Sequence, residues 1–365
     1  MKESYGAIVS VKCRNSGIDF LRNLSMFMVV LLHVLGVGGL LQASAGQPVK
    51  YEVLKVLQIG AMCAVNCYGL ISGYVGYGSK FRIASIVTLW LQVFLYSAGF
   101  GVLFYILKPG EVALKEVLKL CLPVLTQRYW YFTAYTALFF TMPLLNAAME
   151  KISRRQFEIS FGILLFLLTV CQQTLIVDNT FGTNSGYSYI WLIVLYCLGA
   201  YLKKYDIRLK KPAVGLAIYL GCCAACWGAQ FLLTKLQIGS PDRLEGYNSP
   251  FVLLMGIMLV LLFANLRLPK WLGKTVTFLA PASFGVYLIH LHPLVRNHMF
   301  LDATAGLADK PVWLLVPIVF AVTAGIYAVC SAIDLLRHWL FRLLDVKGRL
   351  QKLESKILPE DGGIK

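Results

Sequence analysis

The residues best able to do chemistry stand near the N-terminus, in DFLRNLSMFMVVLLHV, residues 19–34. Asp19, Arg22 and His33 interrupt a run otherwise apolar enough to enter a membrane. A helix rises 1.5 Å and turns about 100° per residue, so the eleven residues from Arg22 to His33 cover about 16 Å and roughly three turns. The two therefore share a face, and Asp19 sits one turn before Arg22, where it can fix the guanidinium. Ionisable groups at membrane depth are costly and face interior cavities. An arginine at the mouth of such a cavity suits a phosphate-bearing ligand. A histidine deeper in, with an ordinary pKa near 6.5, suits general-base work. Taken singly, Arg22 also reads as a flank residue reaching back to water, and His33 as an interhelical hydrogen-bond donor.

The elements that must position these groups follow from composition. Of 365 residues, 58% are hydrophobic and only 14% charged, against about 25% charged in a soluble domain; mean hydropathy is +0.69. Apolar runs of bilayer-crossing length recur at about 18–40, 53–76, 83–107, 129–148, 157–177, 188–202, 213–234, 250–266, 278–297 and 311–336. The expected fold is an all-α integral membrane protein, a bundle of about ten transmembrane helices. Residues 1–17 form an N-terminal segment without the apolar core of a cleavable signal; 18–336 form the membrane domain; 337–365 form a basic amphipathic tail. The net charge of +16 is concentrated in GSKFR, MEKISRRQ, KKYDIRLKKP, RLPKWLGKTV and the tail. Those alternate connections are then cytoplasmic, as are both termini. The charge is a topology signal with some attraction to anionic lipid, and it gives no reason to expect nucleic acid.

Other candidates are weaker. Cys63 with Cys67, and Cys222, Cys223 and Cys226, lie mid-span without histidines, so packing rather than metal is expected. Ser72 lies on no nucleophile elbow, and Tyr74 sits at headgroup level, where aromatic residues gather anyway. Arg128, Trp130 and Tyr131 open the fourth span from outside; they read as an interfacial aromatic belt, or as a sugar-stacking entrance with a guanidinium fork. The preceding segment, EVALKEVLKLCLPVLTQ, has helical apolar spacing and is expected along the outer surface. His290 and His292, two apart, cannot share a helix face; His292, followed by Pro293, is expected at the interface. Asn66, Gln92 and Asn265 fall within spans, where they can line a translocation path. A transporter of a polar or lipid-linked metabolite is therefore the alternative, although the inverted repeats of that class are not evident.

Four stretches, in order, carry a family resemblance. IDFLRNLSMFMVVLLHV, with Arg22, ten residues and His33, resembles the first helix of the acyltransferase 3 family of bacterial membrane acyltransferases. GLISGYVGYGSKFR (69–82), RYWYFTAYTALFFTMPLLN (128–146) and SFGVYLIHLHPLV (283–295) are similar to its second, fourth and late helices. The resemblance implies transfer of an acyl group, commonly acetyl from acetyl-CoA, to a glycan or lipid-linked sugar hydroxyl at a bacterial inner membrane. It implies that Arg22 holds CoA phosphate, with Lys80 and Arg82 as partners, and that His33 takes the acceptor's proton. It also marks His290, placed on the acceptor side. Lys80-Phe81-Arg82 departs from the arginine pair many members carry, and plain topology residues explain it equally. No bound metal or permanent cofactor is expected. No fused soluble domain is expected either, so transfer falls to this chain or to a separate partner.

Overall fold

The computed structural model describes residues 14–174 and 179–357. Most of the expected N-terminal segment, the end of the fifth expected span and the last residues of the tail lie outside them. Among the described residues every regular element is helical. The main helices are α1 (Ser16–Leu35), α2 (Pro48–Ala61), α3 (Ala64–Gly76), α4 (Ile83–Leu107), α5 (Leu114–Leu120), α6 (Trp130–Lys151), α7 (Arg154–Phe166), α8 (Tyr189–Lys204), α9 (Pro212–Leu236), α10 (Pro250–Ala264), α11 (Lys270–Leu279), α12 (Ser283–His290), α13 (Val312–Leu343) and α14 (Val346–Ile357).

Eight stretches among the described residues are long and apolar enough to cross a membrane. Three of them are broken: α2 with α3 makes Pro48–Gly76, a 3-10 turn with α10 makes Asp242–Ala264, and α11 with α12 makes Lys270–His290. The fifth and sixth expected spans take a different form. α7 passes into a π turn, Leu167–Cys171, and α8 has 16 residues, about 24 Å of helix.

Apolar side chains do not drive helices together in lipid, so close backbone packing and buried polar bonds must do it. α8 lies against α3 with backbones nearly touching. A Cβ on Gly73 would come within 1.9 Å of the Tyr196 carbonyl oxygen, and one on Gly199 within 2.0 Å of that of Leu70. Nothing larger than glycine fits either position. Polar bonds cross the same region: Trp191 Nε1 donates to Asn66 Oδ1 at 2.9 Å, and Asn66 Nδ2 to the Tyr247 carbonyl at 2.7 Å.

α1 is the central helix, and most of it is buried. Asn15 caps it, its side chain accepting from the backbone N–H of Gly17 and Ile18 at 2.9 and 3.2 Å; this satisfies amides the helix itself cannot. Its far end is held by Thr304, whose hydroxyl reaches the carbonyls of Val34 and Gly38. Outer helices carry exposed apolar side chains such as Leu95, Val102, Leu144, Leu220 and Val329, the surface that hydrocarbon would cover.

Candidate active site

Arg22 and His33 do not face hydrocarbon. They line cavities that follow one another along α1. A mouth of about 280 Å³ is lined by Arg14, Asp19, Arg22, Tyr74 and Lys203, among others. A chamber of about 250 Å³ shares Arg14 and Arg22 with it and is walled by Tyr68, Ser72, Tyr131, Tyr135 and Phe284. A narrower cavity of about 90 Å³ shares Tyr68, Tyr131 and Phe284 with the chamber and ends at His33, Trp130, Tyr187, Tyr247 and Tyr287.

At the mouth, Asp19 is 1% exposed and engaged on both oxygens. Oδ1 accepts from Arg22 Nη1 at 3.1 Å, and Oδ2 from Arg14 Nε at 2.6 Å and from Thr277 Oγ1 at 3.2 Å. Arg22 gives Asp19 one hydrogen bond, and its side chain remains 30% exposed. A guanidinium has five N–H donors, so most of Arg22's are left for another acceptor.

At the far end, the last turns of α1 and α12 bring His33 Nδ1 within 3.1 Å of His290 Nε2. The partners decide the tautomers. His290 Nδ1 lies 2.5 Å from the Val286 carbonyl oxygen, which can only accept, so Nδ1 carries the proton. His290 Nε2 is then the acceptor, His33 Nδ1–H donates to it, and the lone pair rests on His33 Nε2. This is a base oriented by a second group. The sequence marked His290 separately; the structure places it where it orients the His33 ring.

Trp130 and Tyr131 share the His33 cavity. Trp130 begins α6, and the Tyr129 hydroxyl beside it donates to the Leu288 carbonyl at 3.0 Å, tying that helix start to α12. The Trp130 ring lies 4.8 Å from the Tyr187 ring and 6.2 Å from that of Tyr247. Tyr187 and Tyr247 were not anticipated; each follows a glycine in a connection between helices, where an aromatic residue passes for belt.

Other expected residues stand apart from the cavities along α1. Arg128 does not join these aromatic residues: its Nη2 bonds Glu116 Oε2 at 2.7 Å. Lys119 is the other partner of Glu116, and with Arg128 it holds that carboxyl below its usual range. Lys80 and Arg82 do not join Arg22. They line a separate cavity of about 400 Å³ with Gln351, Glu354 and Ser355 of α14, where Glu354 accepts from the Ile83 amide at 2.6 Å. His292 is fully buried; its Nδ1 caps the Leu294 amide and its Nε2 meets the Ser97 carbonyl. Of the polar span residues, Asn66 is consumed by Trp191 and Tyr247, Gln92 by Asp334, and Asn265 by its own helix. None of the three lines the cavities along α1. Among the described residues no cluster of potential metal ligands occurs.

Comparison with curated proteins and with solved structures finds no match. A family model described as an acyltransferase domain matches residues 15–335. That match begins at the Asn15 cap and runs through most of α13, taking in every residue of the cavities along α1 except Arg14. The chain therefore belongs to the acyltransferase 3 family: it is a membrane acyltransferase.

Proposed function

We propose that the protein moves an acyl group, acetyl from acetyl-CoA, to a hydroxyl of a cell-envelope or exported glycan, as a multi-pass protein of the bacterial cytoplasmic membrane. The observation that carries this reading is the oriented His33–His290 pair at one end of a cavity series that has Arg22 at the other. The donor fits that span. The arm joining the CoA phosphates to its sulfur has about twelve bonds, roughly four peptide units, so it extends about 14 Å. The rise of α1 from Arg22 to His33 is about 16 Å. Phosphates at the inner mouth therefore bring the thioester to the imidazole.

The residues then act as follows. The acceptor hydroxyl gives its proton to His33 Nε2 as its oxygen bonds to the thioester carbonyl carbon. The tetrahedral oxyanion collapses, the C–S bond breaks, and the proton on Nε2 passes to the leaving thiolate. His290 Nε2, accepting from His33 Nδ1–H, holds the ring in place while it is transiently charged. Trp130, Tyr131, Tyr187 and Tyr247 supply faces on which a sugar ring can stack. Their narrow cavity admits the reacting hydroxyl's part of a glycan, and the rest extends outward past Tyr187, which is 44% exposed. The transporter alternative loses its support, because its polar path residues are consumed in structural bonds.

Mass spectrometry of envelope glycans tests this. Cells expressing the protein carry an ester-sized mass increment that is missing without the gene and with His33→Ala, while the variant still inserts in the membrane. Removal of a positioned general base costs about 10²–10⁴-fold in rate. An increment undiminished by His33→Ala sinks the assignment.

A further inference from the structure

The mouth of the cavity series holds cations that the first-helix motif does not include. Arg14 precedes α1 and bonds Asp19. Lys203 lies in the last turn of α8, with its ammonium 5.1 Å from the centre of the Tyr74 ring. The two come from opposite halves of the chain, yet both line the same cavity as Arg22. Lys203 is held there by the glycine contact between α3 and α8, which fixes the α8 backbone one turn before it.

The charge at this mouth does not cancel. Among the described residues Asp19 is the only carboxylate that lines this cavity, which it shares with two guanidinia and an ammonium. The neighbouring Asp206 acts on Lys203 but is also paired with Arg208 at 2.7 Å, so the mouth keeps its positive excess. Three cations around one carboxylate, on a cavity of about 280 Å³, form a receptor for an anion of more than one charge. Guanidinia bind phosphate through forked pairs, and an ammonium binds it as a point charge.

We infer that Arg14 and Lys203, with Arg22, form a three-cation clamp for the phosphates of a nucleotide-bearing acyl donor. The inference rests on the proposed acyl-CoA reaction and replaces Lys80 and Arg82 as the partners of Arg22. It predicts that the phosphates, rather than the thioester arm, supply the selectivity for the donor.

Equilibrium binding to the purified full-length chain, with coenzyme A and phosphate-free pantetheine as probes, tests it. The wild type favours coenzyme A. In Lys203→Gln, and separately in Arg14→Gln, the ratio of the two affinities falls about tenfold or more, the value of a charged hydrogen bond. Lys203→Gln leaves the Asp19 network intact, so a folding defect cannot mimic the result. Equal wild-type binding of the probes, or an unchanged ratio in both variants, overturns the clamp. Displacement of coenzyme A by added phosphatidylglycerol also overturns it, since the cations then hold a lipid headgroup. The outcomes separate from those of the reaction itself. A preserved ratio in His33→Ala with transfer lost supports both readings, whereas wild-type transfer with no preference for coenzyme A removes the clamp alone.

Discussion

The chain contains two buried aspartates, each followed three residues later by an arginine, and only one of these pairs lies at the site. Asp334 is fully buried and grips Arg337 through both oxygens, at 3.1 and 2.6 Å. Gln92 and the Tyr96 hydroxyl also donate to it, at 2.9 and 2.8 Å, and Arg337 is 7% exposed. Both Asp334 oxygens are spent on binding α4 to α13, and Arg337 reaches a neighbouring cavity only with its narrow exposed edge. Asp19 and Arg22 repeat the spacing, but a single 3.1 Å bond joins them and Arg22 opens onto two cavities. Identical local sequence logic thus produces a closed fastener in one place and an open receptor in the other. The difference is set by neighbours far away in the chain: Gln92 and Tyr96 close the first, while Lys203 and Tyr74 border the second without filling it.

Breaking the closed pair should have the larger effect on the fold. Asp334→Ala strands Arg337, and an unpartnered buried charge costs about 3–5 kcal/mol; unfolding in detergent would show the lost stability. Arg22→Ala should instead leave most of the stability in place and raise the KM for acetyl-CoA by about 10- to 100-fold, the worth of a charged hydrogen bond to phosphate. If Arg22→Ala destabilises the protein as much as Asp334→Ala does, the two pairs are alike and the contrast fails. Trp130→Ala should raise the acceptor KM by about fivefold, from loss of roughly 1 kcal/mol of ring stacking, without changing the donor KM.

The smallest effect concerns Glu116, which lies outside the spans. Lys119 and Arg128 lower its pKa in the folded state, so its contribution to stability is present above the ordinary glutamate value and disappears as pH falls through the lowered one. Its exposure keeps that contribution small. Glu116→Gln should therefore remove a weak acid-side slope in stability between those two values and leave transfer unaffected. An altered acceptor KM in that variant would return Arg128 to the sugar site.

Much of this was legible in sequence because it depends on local spacing. The apolar runs, the shared face of Arg22 and His33, and the position of Asp19 are consequences of helix geometry alone. The partnership of His33 with His290 was not, because it requires α1 and α12 to end at the same level, across 257 positions. Arg128 misled for a similar reason. Its charge looked available beside Trp130 and Tyr131, but α5 folds back and presents Glu116 to it. Lys80 and Arg82 were joined to Arg22 by the family resemblance; α14 of the tail covers the turn that carries them instead. The polar spans Asn66 and Gln92 carry no sign in sequence of whether their amides face a path or a partner, and packing decided for the partner.

The most direct test is a structure of the protein with an unreactive acetyl-CoA analogue in which the thioester is replaced by a thioether. Phosphate density is expected against Arg22 at the mouth and the sulfur beside His33 Nε2, with the arm running between Tyr68 and Tyr131. An analogue bound instead between Lys80, Arg82 and α14, with the cavities along α1 empty, would contradict it.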